Sequence, residues 1–318
     1  MKKLLLLCGI ILSACSAKIT VPDGTIIKLY DGPAPGYEDK CFEEVVFTGG
    51  DGFRTVFNVT EPTLEIFVPE SPDGRAMLVV PGGGFVIQSY DSEGTLVAKR
   101  LCEHGITAFV LKYRATPVLD ENGSSQDGLK GMMMVMKHIK DSYEEREGAR
   151  PVALEGNGLE ELAYSRGAYH WASREEGCKT AYEDADRAMS FLRSHAKEYG
   201  IKKIGIMGFS AGAIISLHQA QFHSPETRPD FVGCIYGGWD ETFRVPDDPM
   251  PLFVCSPVND AFSPEESIRV VLEWRKAGQP VEYHTYWKTE HGFGGLPKNA
   301  SVDSWVEAMT AFMSDAAF

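Results

Sequence analysis

One serine in this chain stands where its hydroxyl could act as a nucleophile. Ser210 lies in Gly208-Phe209-Ser210-Ala211-Gly212, between the apolar run Lys203-Ile204-Gly205-Ile206-Met207 and the helix-like stretch Ala213-Ile214-Ile215-Ser216-Leu217-His218. A strand, a sharp turn and a helix in that order push a hydroxyl out of the fold. The flanking glycines suit such a turn, because its backbone passes too close to neighbouring chain for a Cβ. A serine hydroxyl is a weak nucleophile at neutral pH. It needs a base to take its proton and an acid to orient that base.

In sheets of this kind the partners follow in the order serine, acid, histidine. Four histidines lie downstream of Ser210. His218 and His223 fall in the helix after the serine and at its end, and His284 alternates within the last strand. His291, in Glu290-His291-Gly292-Phe293-Gly294, sits on a glycine-rich loop just past that strand and is the candidate base. For the acid, the strand Pro251 to Ser256 leaves the sheet through Pro257-Val258-Asn259-Asp260. Asp260 is the first carboxylate after that strand, at the carboxyl edge where catalytic groups of open α/β sheets gather. The plainer reading is a turn cap. Asp240 and the Asp247-Asp248 pair, after the preceding strand, compete less well.

Acyl transfer also needs donors for the oxygen that becomes negative in the tetrahedral intermediate. Pro81-Gly82-Gly83-Gly84-Phe85 follows the strand ending at Val80 and could present bare backbone N–H groups. Gly83 and Gly84 are the candidate oxyanion-hole residues, with Ala211, the residue after the nucleophile. A phosphate cradle is the other use of such a loop, but no Gly-Lys-Ser/Thr and no G-x-G-x-x-G spacing accompanies it.

The elements that must position these residues alternate between strand and helix patterns from about residue 65 onward, which predicts an α/β fold with a mostly parallel sheet covered on both faces. Expected strands are 64–68, 76–80, 107–113, 203–207, 231–236, 252–256 and 281–287. Expected helices are 94–103, 182–198, 210–221, 265–277 and 302–313. In the second of these helices Ala185, Ala188, Met189 and Leu192 share one face. Residues 41–59 read as antiparallel strands at the sheet's edge. Between the strand ending near Arg114 and the helix starting near Tyr182, residues 115–181 form an insertion far longer than an ordinary connection. It holds a Met-rich helix-like run (131–138), a charged run (141–146) and the aromatic group Tyr164, Tyr169, His170 and Trp171. It could be a partly helical cap beside the site or a loose insertion, and its aromatics could stack on sugars or pack the insertion itself.

Residues 1–18 read as a targeting segment. Lys2 and Lys3 precede an apolar run, Leu4 to Leu12, too short to span a bilayer. Leu12-Ser13-Ala14-Cys15 then resembles the lipobox of bacterial lipoproteins, which implies lipidation at Cys15 and a lipid-anchored place in the bacterial cell envelope, with Ser16 pointing to an outer membrane. An ordinary secretory signal is the alternative. Residues 19–36 then read as a tether and 37–318 as a single domain. The formal charge of −14 becomes −16 once Lys2 and Lys3 are removed. An acidic chain without a basic, aromatic-interleaved patch argues against a nucleic-acid partner. The cysteines past Cys15 are Cys41, Cys102, Cys178, Cys234 and Cys255. They form no C-x-x-C pair, so no zinc ribbon or thioredoxin-like site is indicated. Export permits a disulfide, and the odd count leaves at least one thiol free. Cys234 and Cys255 lie in strand-like runs and read as core.

Taken together, Pro81 to Phe85, Val110-Leu111-Lys112-Tyr113-Arg114, Gly208 to Gly212, Asp260 with Pro264, and His291-Gly292-Phe293-Gly294 resemble the bacterial α/β-hydrolase esterases and lipases of the acetyl-esterase and carbohydrate-esterase groups, including acetyl xylan and feruloyl esterase-like members. The resemblance runs from about Ala76 to the C-terminus, interrupted by the insertion. It implies the α/β-hydrolase fold and a serine carboxylic ester hydrolase working through an acyl-enzyme. Ser210, Asp260 and His291 would be its triad, and Gly83, Gly84 and Ala211 its oxyanion hole. It implies no metal and no organic cofactor. The substrate it suggests is an acetylated or feruloylated plant polysaccharide or oligosaccharide. Members of the family carry His where this chain has Pro81, often Gly where it has Ala213, and a far shorter connection after the Tyr-Arg pair. Other readings are a broad small-acyl esterase, a peptidase of the same fold, or a glycan-binding lipoprotein on an inactive hydrolase fold. The peptidase usually needs a large extra domain that this length excludes, and the filled catalytic positions speak against the inactive fold.

Overall fold

The structure is a computed structural model that describes residues 21–40, 42–117, 119, 171–237, 244–258, 260, 264–299 and 301–318. Cys15 and the rest of the signal segment, Cys41, Asp240 and residues 120–170 of the insertion lie outside the described residues, among them the aromatic residues Tyr164, Tyr169 and His170.

The strands are β1 (Ile26–Lys28), β2 (Val45–Thr48), β3 (Arg54–Phe57), β4 (Thr63–Phe67), β5 (Arg75–Val80), β6 (Ile87–Gln88), β7 (Thr107–Lys112), β8 (Lys203–Phe209), β9 (Phe231–Ile235), β10 (Leu252–Pro257) and β11 (Val281–Tyr286). The α-helices are α1 (Leu96–Glu103), α2 (Trp171–His195), α3 (Ala211–Phe222), α4 (Pro264–Lys276) and α5 (Trp305–Asp315). Eight strands form the main sheet in the order β1-β4-β7-β5-β8-β9-β10-β11. From β7 to β11 every pairing is parallel, whereas at one edge β4 pairs antiparallel with both β7 and β1.

The two-residue period of the strands sorts their side chains onto two faces. Ala76, Leu78 and Val80 of β5 meet Ile204 and Ile206 of β8 beneath α2, α3 and α4. Met77 and Val79 meet Met207 and Phe209 on the opposite face, beneath α1 and α5. Ala185, Ala188, Met189 and Leu192 are all buried, so the amphipathic face expected of α2 is the face it presents to the sheet. Cys234 and Cys255 are core residues.

Four expectations need correction. Residues 45–48 and 54–57 do not extend the main sheet: β2 and β3 pair with each other and with β6 in a separate three-stranded sheet. The main sheet's edge beside β4 is already taken by β1, in register Ile26↔Glu65 to Lys28↔Thr63. That strand comes from the stretch read as a tether, and Leu29 and Ala34 beyond it are buried at 2% and 1% exposure, so the fold begins before residue 37. The helix expected from Tyr182 already begins at Trp171. The helix expected from Gly94 opens with a π-helical turn, Tyr90–Thr95, before α1.

Arg114 lies two residues past β7 and has no solvent exposure. Its guanidinium donates to Asp184 of α2, with the closest N···O at 2.7 Å, and its backbone N–H donates to the same carboxylate at 2.8 Å. The Arg114 guanidinium also donates to Pro35 O, and the Tyr30 hydroxyl donates to Asp184, so the N-terminal segment is tied to the pair. Burial pushes the Asp184 carboxyl up, against the pull of Arg114. Removing one member of such a pair leaves the other charge buried without compensation. Arg114→Met is therefore expected to cost about 3–5 kcal/mol of stability, read from a urea-unfolding midpoint.

Candidate active site

In an open α/β sheet the chain crossovers diverge at one point, and the crevice there is open above the strand ends. Here β5 is followed by β7 on one side and paired with β8 on the other, so the divergence lies between β5 and β8. The Gly82–Gly84 loop leaves the end of β5 and Ser210 follows the end of β8. Tyr236, Asp260 and His291 follow β9, β10 and β11 at the same edge.

Ser210 joins β8 directly to α3 and has φ 52° and ψ −116°. That left-handed conformation costs a non-glycine residue roughly 1–3 kcal/mol and persists only where the surroundings dictate it. They do so by close packing. A Cβ on Gly208 would lie 2.1 Å from Gly212 O, and one on Gly212 would lie 2.0 Å from Val80 O. Both glycines of the motif are thus required by backbone meeting backbone. Gly212→Ala is expected to destabilise the fold by about 3 kcal/mol, the upper range for overpacking, and to abolish fluorophosphonate labelling of the residual folded protein.

The Ser210 hydroxyl donates to His291 Nε2 at 2.8 Å, and His291 Nδ1–H donates to both oxygens of Asp260 at 3.0 Å. A carboxylate can only accept, which places the histidine proton on Nδ1 and leaves Nε2 free to accept from serine. The Asp260 side chain has no solvent exposure and that of His291 has 17%. The other histidines are engaged elsewhere. His218 stacks on Tyr182 with ring centroids 3.6 Å apart, His223 contacts Asp248, and His284 contacts Glu282. Asp248 pairs with Arg228 and His223, away from Ser210. Burial pushes the Cys102 and Cys234 thiols up to about 12, so neither offers a thiolate near neutrality.

The glycine loop is held by its carbonyls. Gly82 O accepts from Ser89 N–H at 3.0 Å, and Gly83 O accepts from Val86 and Ile87 at 3.1 and 3.0 Å. In a planar trans peptide the N–H points opposite to the carbonyl, so the N–H groups of Gly83 and Gly84 face away from those partners. Among the described residues neither these two nor the Ala211 N–H donates to another protein group. The Gly82 N–H is different, because it donates to Glu93 Oε2 at 2.7 Å. The loop lies against the serine: a Cβ on Gly82 would come within 2.9 Å of Ser210 Cβ. A nucleophile, a base with an orienting acid and a cluster of uncommitted N–H donors can together carry acyl transfer.

Sequence reasoning missed two residues beside this group. Glu93 lies in the π-helical turn before α1 and Tyr236 is the first residue past β9. The Tyr236 hydroxyl donates to Glu93 Oε1 at 2.8 Å and accepts the Gly294 N–H at 3.0 Å, while its ring lies 4.8 Å from that of His291. Nothing local distinguishes Glu93 from any helix-start glutamate; only the close approach of four loops does. Ala213 is accommodated by Gly237, on which a Cβ would lie 2.4 Å from the Ala213 methyl.

No protein-family model matches the chain. An acetylxylan esterase of Xylanibacter ruminicola is 46% identical over 48 residues, a match that spans 15% of this chain and only 10% of that protein. Among solved structures, an acetyl ester-xyloside bifunctional hydrolase from Caldicellulosiruptor lactoaceticus superposes with a TM-score of 0.59 at 19% identity, covering 94% of this chain and 98% of that one. MGS-M1, an α/β hydrolase from a Medee basin deep-sea metagenome, gives 0.54 at 21% identity over 80% and 92% of the two chains. A thermophilic esterase from Thermogutta terrifontis gives 0.53 at 17% identity over 86% and 91%. At these identities the likeness is one of architecture, and it agrees with the mostly parallel sheet and the helices that cover it. The chain has the α/β-hydrolase fold.

Proposed function

We propose that the protein is a serine carboxylic ester hydrolase that removes acetyl groups from plant polysaccharide or oligosaccharide, tethered to the bacterial cell envelope through lipid on Cys15. The observation that carries the chemistry is the hydrogen-bonded chain from Ser210 Oγ through His291 to Asp260, set beside N–H groups that no described residue accepts from. In this reading His291 Nε2 takes the serine proton as Oγ attacks the ester carbonyl. The N–H groups of Gly83, Gly84 and Ala211 hold the oxygen that becomes negative, and Asp260 stabilises the imidazolium. The proton then passes from His291 to the departing alcohol. A water molecule, deprotonated in turn by His291, attacks the acyl-serine and releases the carboxylic acid.

For the acyl group, support comes from the short match to an acetylxylan esterase and from the acetyl ester-xyloside hydrolase among the structural neighbours. The test is mass spectrometry of mixed acetylated and feruloylated xylo-oligosaccharides after incubation with the full chain in detergent, with Ser210→Ala as control. Loss of acetyl groups only with intact Ser210 is the expected result. Loss of feruloyl groups alone replaces the acyl assignment, and no loss of either, with aryl acetates still cleaved, removes the glycan substrate. Metabolic labelling with palmitate tests the anchor: label is expected on the native chain and absent from Cys15→Ala.

A further inference from the structure

We propose that Glu93 is a positioning residue of the hydrolytic site: its carboxylate ties the oxyanion loop at Gly82 to the His291 loop through the Tyr236 hydroxyl, holding donors and base in one register. This rests on the ester-hydrolase reading above and adds a residue to it.

Each end of the tie is specific. Glu93 Oε2 takes the Gly82 N–H, the one donor of the loop that is turned away from oxyanion duty, at 2.7 Å. With Gly82 O and Gly83 O already engaged, that bond completes the orientation of the peptides carrying the Gly83 and Gly84 N–H groups. Glu93 Oε1 takes the Tyr236 hydroxyl at 2.8 Å, and that hydroxyl takes the Gly294 N–H, three residues past the base. The same turn grips the loop a second time, since Gly295 N–H donates to Ser92 O at 2.7 Å. Trp305 Nε1–H donates to Gly294 O at 3.0 Å and closes the loop from α5. There is no slack in this docking: a Cβ on Gly294 would lie 2.7 Å from Ser92 O and 3.0 Å from Glu93 Cγ.

The choice of a carboxylate is costly if its role is only to fill space. Glu93 is buried at 4% exposure, and among the described residues its hydrogen-bond donors are a peptide N–H and a phenol rather than Lys or Arg. Burying an anion on neutral donors is unfavourable, and burial does push the Glu93 carboxyl up against the pull of Tyr236, Gly82 and the nearby His291. A neutral glutamine of the same shape avoids that cost. It cannot accept from both donors, because its amide nitrogen would face one of them. The groups around His291 and Glu93 are Asp260 from the end of β10, Ser210 from β8, Tyr236 from β9 and Tyr113 from β7, whose hydroxyl donates to Pro81 O. Asp91, on the same turn, faces Arg54 instead.

The test compares Glu93→Gln, Tyr236→Phe and the double variant in the full chain, using p-nitrophenyl acetate and counting active sites by fluorophosphonate titration to completion. Both single variants are expected to lose about tenfold to a hundredfold in kcat per titrated site, the scale of a small misplacement, with KM within about twofold. The double variant is expected to lose no more than the worse single one, because both cut the same tie. Glu93→Gln is expected to keep or raise Tm at pH 7, which a structural residue would not do. A kcat per site within about twofold of the native value in both single variants, with or without a lowered Tm, overturns the proposal, as do losses that multiply in the double variant. A native chain that neither cleaves the ester nor takes the fluorophosphonate overturns the hydrolase reading and this proposal with it. An active native chain with unaffected variants overturns this proposal alone.

Discussion

Ser210→Ala is expected to lower kcat/KM for p-nitrophenyl acetate by about 10⁵-fold or more while leaving Tm within a few degrees of the native value. The size follows from losing the covalent route altogether, so that only binding and the oxyanion donors remain to assist attack by water. The stability follows from geometry. Ser210 adopts φ 52°, and alanine has the same Cβ and the same strain there, so neither the turn nor the packing of Gly208 and Gly212 around it changes. The hydroxyl's hydrogen bond is to His291, which is partly open to solvent and can find water instead. Steady-state kinetics alongside calorimetry checks both halves, and the variant is expected to take no fluorophosphonate. Activity retained in Ser210→Ala would move the nucleophile elsewhere and end the acyl-serine mechanism.

Asp260→Asn is expected to cost on the order of 10⁴-fold in kcat through the histidine's tautomer rather than through a lost contact. Asp260 now accepts the Nδ1 proton through both oxygens at 3.0 Å from a position sealed from solvent. Asparagine is nearly the same shape, but its amide can donate to Nδ1 and thereby favour the proton on Nε2. In that tautomer His291 would donate to Ser210 Oγ instead of accepting from it, and the serine proton would have no destination. The carboxylate that stabilises the imidazolium is lost in the same step. The expected signature is a collapse of kcat and of the fluorophosphonate labelling rate with Tm retained. A loss below about tenfold would leave Asp260 as a turn cap, the plainer reading of its place after Pro257.

The candidate site residues were legible because each sits in a local pattern with a physical cause. Ser210 needed a strand, a turn lined by glycine and a helix. His291 and Asp260 were found as the first competent residues past the last two strands, and the alternation of apolar residues placed those strands correctly. What the pattern misjudged were pairings. Residues 45–57 have strand periodicity, but periodicity does not name a partner; β1, three residues long and half exposed, holds the edge that they were expected to extend. The stretch of residues 19–36 reads as a tether because it follows the targeting segment, and what draws it into the fold is distant in sequence: the pairing of β1 with β4, and the buried Arg114, which reaches Pro35 O.

By itself, then, the amino-acid sequence determined which side chains could do chemistry, the strand-to-helix rhythm that carries them to one edge of a sheet, and the two faces each strand presents, because these depend on residue type and on periods of two and 3.6 residues. Only the tertiary structure decided which strands neighbour one another, that Ser210, His291 and Asp260 lie within hydrogen-bond distance, and that Glu93 and Tyr236 stand behind them. The reason is one of range: local sequence governs torsions and burial, whereas the distance between residues 93, 236 and 294 is set by the sheet order and the packing of loops from separate strands.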